Sequence, residues 1–268
     1  MTQRAYRVRQ PGACNLPARP EVAILGLRHG ASFEGPIVRA ASLQAAPGEI
    51  LAIFGRRLGP EQLAGAEVLD GKLTTKVGGV RVLVDGRPAP MIFASSGQVG
   101  AIVPYETPLT DVLASLLQVE VDGVVSESVL LRIDEAQPGI FTLDSSGSGP
   151  GAILNQDGSL NTAANPAHPG EIISLWATGE GQTDPPGVDG LIAAGALPKP
   201  RLAVSAEVAG QSATIAYAGA APGLTAGVMQ VNVVLPATLD RSGALPVLLY
   251  VGDRPSSVYP GVTVFVEP

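Results

Sequence analysis

The chain has 268 residues, and its 33 glycines and 24 prolines make about a fifth of the total against an ordinary share of ~12%. Charged residues are 15%, the formal net charge is -7, and aromatics are only 4% of a sequence that is 46% hydrophobic. Disorder is excluded because it needs high charge and low hydrophobicity; a coiled coil is excluded because Lys72, Lys76 and Lys199 are the only lysines; and collagen is excluded because the glycines follow no period of three.

The first 60 residues carry eight arginines against Glu21, Glu34 and Glu49, so a basic leading segment precedes an acidic body. That balance argues against a nucleic-acid partner for the chain as a whole. Residues 1–21 read as an irregular arm with Arg4, Arg7 and Arg9, and a single cysteine, Cys14, forbids an internal disulfide. The only apolar run near the start is Val22–Leu27, too short for a secretory signal and of the right length for a strand. The uncharged stretch Val208–Leu239 contains Gln211, Pro222, Gln230 and Asn232, which suits two strands and a loop better than a membrane span.

Self-similarity organises the remainder. Pro47-Gly48-Glu49-Ile50-Leu51-Ala52-Ile53-Phe54 recurs as Pro169-Gly170-Glu171-Ile172-Ile173-Ser174-Leu175-Trp176, 122 residues on. Val80–Ala94 recurs at Val204–Ala218, displaced by 124, and Gln98–Pro104 at Gln230–Pro236, displaced by 132. The change of displacement marks an eight-residue insertion around Ala221-Pro222-Gly223. Val119–Gly123 parallels Leu248–Gly252. Each unit of about a hundred residues fits an immunoglobulin-like sandwich.

Within the first unit, Ile50, Ala52 and Phe54 share one strand face and Leu51 and Ile53 the other, the pattern of a central or covered strand. Asp85-Gly86 and Asp122-Gly123 predict hairpin turns, because both residue types tolerate positive φ. Asp157-Gly158 predicts a third, within a hairpin over 152–160. Pro88 and Pro90 place the returning strand at a sheet edge. Residues 109–117 are expected to form a short helical turn. The Gly/Ser-rich segment 143–151 reads as a flexible linker, which divides the chain into an arm (1–21), a first sandwich (22–142), the linker and a second sandwich (152–268).

Pro47–Gly55, Gly79–Pro90, Val103-Pro104-Tyr105-Glu106, Pro138–Thr142, Asn155–Asn161, Ala177–Gly181 and Gln230–Pro236 together resemble a bacterial, acidobacterial-type family of secreted C-terminal domains built from two IPT/TIG-like immunoglobulin folds. The resemblance spans residues 22 to 266 in order and implies an all-β tandem of two immunoglobulin-like (IPT/TIG-like) sandwiches with a basic N-terminal arm. It implies no activity. Gly100 stands where that family usually has Asn.

Catalytic chemistry finds little support. His29 and His168 have no His or Cys at ligand spacing, and no Gly-x-Ser-x-Gly elbow is present. Glu49 and Glu171 are repeat-equivalent, so they belong to different units and read as structural residues after Pro-Gly rather than a glycosidase pair. Asn155–Ser159 lacks the carboxylates of an EF-hand, and a hairpin turn accounts for it. Trp176, the sole tryptophan, lies in an apolar strand and is expected in the core. No catalytic residue, cofactor or metal is expected.

The resulting expectation is a non-catalytic extracellular or cell-surface protein that self-assembles into a filament or surface layer through Arg4, Arg7, Arg9, Val22, Ile24 and Leu27, with other copies of the chain as partners. The alternative is a carbohydrate- or polymer-binding module, with Tyr217, Pro222 and Gly223 as the candidate ligand loop.

Overall fold

The computed structural model describes residues 21–33, 43–110, 114–256 and 261–268. Arg4, Arg7, Arg9 and Cys14 lie outside them. The described residues are strand, turn and coil, with no helix among them.

The first unit is a sandwich of two sheets. One runs Ala23–His29, Ile50–Arg56, Gln98–Ile102, Met91–Ala94 and Ala64–Gly65 in spatial order. The other runs Leu43–Ala45, Val129–Ile133, Ser115–Val121, Val80–Val84 and Arg87–Pro88. Alternation dictates which side chains face inward: Val80, Val82 and Val84 are buried between the sheets with Leu51, Ile53, Val99, Leu117 and Leu131. The same alternation overrides the expected helical turn at 109–117 over its residues 115–117, while 111–113 lie outside the described residues. Leu116 is 44% exposed and Leu117 fully buried, so Ser115–Val121 is a strand paired with Val80–Val84. Asp85-Gly86 and Asp122-Gly123 take positive φ at both residues, as the hairpin reading requires. Arg87–Pro88 sits at a sheet edge.

In the second unit the sheets merge. Strands Ile172–Thr178, Met229–Val234, Gln211–Ala220, Val204–Val208, Gly243–Val251 and Val262–Val266 form one continuous path around a core of Ile173, Leu175, Val231, Val233, Leu249 and Val264. Gln211–Ala220 serves both halves, pairing with Val204–Val208 before a bulge near 216 and with Met229–Val234 around and beyond it. Its repeat-equivalent in the first unit is broken in two by Pro88 and Pro90, where the second unit has Ser212 and Thr214. In each unit an early strand lies parallel to the last one: Leu43–Ala45 beside Leu131–Ile133, and Gly149–Pro150 beside Val262–Thr263.

The boundary falls earlier than the sequence suggested. Ile133 belongs to the first core and Ala136 to the second, so the chain crosses at 134–135. The segment read as a linker, 143–151, is instead bound into the second sandwich. Leu143 N donates to the Pro150 carbonyl, and Gly149–Pro150 pairs with Val262–Thr263. Its Ser145, Gly147 and Gly149 supply the positive φ of tight turns rather than slack.

The two sandwiches meet along an extensive seam. Leu73 N donates to Gly190 O and Ile192 N to Gly71 O, both at 2.8 Å, so a hairpin of the first unit pairs with a loop of the second. Tyr105 N donates to Asp189 Oδ1 at 2.7 Å, and Gln182 Nε2 to the Tyr105 carbonyl at 2.6 Å. The eight-residue insertion has its explanation here. It folds back on residues 191–193 and brings Gly227 against the first unit, where a Cβ would lie 2.2 Å from the Gly48 carbonyl oxygen.

Candidate functional site

Beneath the seam lies a buried polar cluster. Glu49 is fully buried; its Oε2 accepts from Ala46 N at 2.8 Å, and its Oε1 is 3.7 Å from His29 Nε2. His29 Nδ1 accepts from Ala31 and Ser32 N–H groups, so Nε2 carries the proton and donates to Gln137 O at 2.9 Å. His29 is therefore a buried tie between the units. Glu180 accepts the Tyr105 hydroxyl proton at 3.1 Å. Burial pushes the Glu180 carboxyl up to about 7 and that of Glu49 well above the usual carboxylate range, with Glu180 and Asp134 adding repulsion at Glu49. Burial also lowers His29 to about 4. Glu49 Oε1, Asp134 Oδ2 and Glu180 Oε2 have no described hydrogen-bond partner. Glu49, His29 and Glu180 are buried and set the charge state of the seam, and Tyr105 and Glu180 also line a narrow apolar pocket with Pro186, Val188, Leu191 and Ala226.

Among the described residues, two further concave regions are wider. One, of about 330 Å³, lies at the turn of the second unit around Asn155, Gln156, Asp157, Asn165, His168 and Glu171. Its polar groups largely satisfy one another. Asp157 Oδ1 accepts from Ser159 N and Oγ, Asn165 Nδ2 donates to Ser159 Oγ and Leu160 O, and Glu171 Oε2 accepts from His168 N. His168 is exposed and bonded to Glu267 O. No group of three potential metal ligands occurs among the described residues.

The other, of about 250 Å³, is a groove on the outer face of the first sandwich where it meets the second. Phe33, Phe93 and Phe141, three of the five phenylalanines, line it. The floor follows from register: Gly100 pairs with Ala52 on one side and Phe93 on the other, so two small residues sit side by side beneath the rings. A Cβ on Gly100 would come within 2.6 Å of the Phe93 ring. Glycine at this position thus leaves room for the phenylalanine. Phe54 packs behind, its ring centroid 6.5 Å from that of Phe33. Gln98, Thr142 and Ser145 supply the polar rim, and the Gln98 amide bonds to no described residue. Among the described residues the lining has no titratable group. It can hold an apolar or hydroxyl-rich surface.

The outer face of the second sandwich repeats the arrangement. Ile172, Ser174 and Trp176 point outward, while Ile173, Leu175 and Ala177 enter the core. Trp176 is therefore half-buried on the outer face. The sequence placed it in the core because a strand apolar on both sides gives periodicity nothing to distinguish inside from outside. Trp176 occupies the repeat position of Phe54, Tyr217 that of Phe93, Gln230 that of Gln98 and Asn232 that of Gly100. That correspondence, present in the alignment of the repeats, was the signal available.

Of the residues singled out for assembly, Val22, Ile24 and Leu27 are buried in the first core, and Ala23–His29 pairs with Ile50–Arg56 of its own sheet. Tyr217 donates its hydroxyl to the Ala220 carbonyl at 2.8 Å. Pro222 and Gly223 are exposed at the tip of the insertion, which packs at its base against the seam; they do not converge with Tyr217 on a pocket.

No protein-family profile and no curated protein matches the chain, so what stands of the family resemblance is the all-β tandem architecture. Solved structures with some similarity include a crystal structure with xylogluco-oligosaccharide (13% identity, TM-score 0.28, covering 89% of this chain and 40% of that one). The surface glycan-binding protein PbSGBP-B from Prevotella bryantii is another (10% identity, TM-score 0.29, 88% of this chain and 41% of that one). The tandem Ig repeats of Dlar are a third (8% identity, TM-score 0.20, 85% and 96%). The chain spans about two-fifths of the length of the first two. No helix among the described residues is long and apolar enough to cross a membrane.

Proposed function

We propose that the chain is a non-catalytic binding module of the cell surface or extracellular space, and that its groove holds a neutral carbohydrate polymer. The observation that carries this reading is the convergence of Phe33, Phe93 and Phe141 over the Ala52–Gly100 floor, rimmed by Gln98, Thr142 and Ser145. Aromatic faces accept the C–H surface of a sugar ring, while amide and hydroxyl groups pair with its hydroxyls. A mainly apolar cleft with a few convergent polar groups is the usual form of a ligand site. The absence of titratable groups among the described lining residues supports holding rather than turnover. A polymer is the partner this groove suits, because its lining is concave, aromatic and hydroxyl-bearing.

Affinity electrophoresis through gels containing neutral glucan, xylan, xyloglucan or mannan tests the reading. Retardation is expected in at least one gel. Phe93→Ala is expected to weaken it about tenfold, the equivalent of roughly 1.4 kcal/mol for one aromatic contact. Gly100→Asn, which sets a side chain against the Phe93 ring, is expected to do the same. Unretarded migration in every gel would refute the proposal.

A further inference from the structure

We infer that the bound chain continues past the groove onto the outer face of the second sandwich, with Trp176 as a second stacking position. The inference rests on the groove being the binding site, and it identifies the ligand as an extended neutral polysaccharide chain rather than a short sugar or a chain end.

Register joins the two faces. Ile140 pairs with Ala177, and both side chains are buried in the second core. One residue further along each strand the side chains turn outward, and there Phe141 N donates to the Trp176 carbonyl at 2.9 Å. The phenylalanine that closes the groove is thus the cross-strand neighbour of the tryptophan. From Trp176 the row continues to Gln230, and the adjacent row is Ser174, Asn232 and Tyr217. The face ends at Gly219, which the Tyr217 hydroxyl and the Pro198 carbonyl cover. At the usual strand spacing this adds about 10 Å of face beyond Phe141.

Two further observations commit the face to this occupant. First, neither row contains a charged side chain, which suits a neutral ligand and leaves an anionic or cationic one unpaired. Second, the repeat gives the face the same residue types as the groove, an aromatic at the position of Phe54, one at that of Phe93, and a glutamine at that of Gln98. Gln230 Nε2 donates to Asn232 Oδ1 at 2.9 Å, which holds the two amides together on the face. Their remaining groups, the Gln230 carbonyl oxygen and the Asn232 amide nitrogen, bond to no described residue and are placed for ligand hydroxyls.

Linear gluco-, xylo- and manno-oligosaccharides from disaccharide to octasaccharide serve as probes, with calorimetry for affinity. The emission of Trp176, the sole tryptophan, serves as a local reporter. Affinity is expected to rise with length, and the emission change to appear only with the longer oligomers. Trp176→Ala is expected to weaken the octasaccharide about tenfold and leave the disaccharide unchanged, and Trp176→Phe to restore most of the loss. Affinity independent of length and indifferent to Trp176→Ala, but still lost in Phe93→Ala, overturns the extended path and leaves the groove standing. Binding insensitive to Phe93→Ala, or absent for every oligomer, overturns both.

Discussion

The turn Pro47-Gly48-Glu49 and its repeat Pro169-Gly170-Glu171 have the same local structure and different fates. In each, glycine takes a positive φ and the glutamate Oε2 accepts the N–H three residues before it, Ala46 in one and His168 in the other. In the first unit the second sandwich closes over the turn and Glu49 is fully buried, while Gly48 lies against the ring of Tyr105, a first-unit residue that is itself held to the second unit. In the second unit the same turn borders an open cleft, and nothing approaches Gly170. The repeated residues specify the hydrogen bonds of the turn. The neighbour decides the electrostatics and the packing.

The glycine pair provides the largest break in this symmetry. Gly48→Ala incurs left-handed strain of about 1–2 kcal/mol and displaces Tyr105, whose ring would lie 2.5 Å from the new Cβ. With an overpacking cost of about 1–3 kcal/mol, a total loss of about 2–5 kcal/mol is expected. Gly170→Ala carries the strain alone, about 1–2 kcal/mol. Urea unfolding of the two variants measures the difference, and equal losses would show that the seam contributes nothing at Gly48.

The pH dependence of stability comes next. Glu49 and Glu180 have raised folded pKa values, so their contribution is complete below about 4.5 and is lost as pH rises, through about 7 for Glu180. His29 has the opposite sign. Its folded value of about 4 gives stability that is present above about 6.5 and lost as pH falls toward 4. Asp134 lies beside Glu49, and Tyr105 and Asp189 face the same seam. With two carboxyls opposing one imidazole, unfolding free energy is expected to fall as pH rises from about 4.5. Glu180→Gln is expected to remove about 3 kcal/mol of that fall between pH 4.5 and 7, the equivalent of the raised carboxyl. A pH profile parallel to that of the parent protein would place the proton elsewhere.

The smallest effect is expected from Arg81→Ser, which transfers Ser205 of the second copy to the first. Arg81 and Glu120 form a bidentate pair at 2.6 and 2.8 Å on a partly exposed face. Its loss is expected to cost about 0.5–1 kcal/mol by thermal unfolding, diminishing in high salt.

Much of the fold is legible in the sequence because its signals are local. Asp85-Gly86 and Asp122-Gly123 mark their own turns, the recurrence of Pro-Gly-Glu fixes the unit length, and Pro88 marks an edge. The duplicated glutamates read as structural, and the turn hydrogen bonds agree with that reading. Features that depend on distant partners are not legible. The composition of 143–151 is equally that of a tether and of tight turns, and only its pairing with Val262–Thr263 distinguishes them. The insertion at 221–228 resembles a ligand loop until Gly227 meets Gly48. The groove is hidden because Ile50–Arg56 is apolar on both faces, and because Phe33, Phe93 and Phe141 converge from far-separated segments.

The parallel pairing of early and late strands in each unit has a mechanical consequence. Tension along the chain pulls Leu43–Ala45 and Leu131–Ile133 past one another lengthwise, and likewise Gly149–Pro150 and Val262–Thr263. Load on such a pair falls on all its hydrogen bonds together, in shear, whereas a hairpin pulled from its open end parts one bond at a time. Each sandwich therefore holds one pair that resists tension in shear, lying inside the first strands Ala23–His29 and Gly139–Ile140, which pair antiparallel.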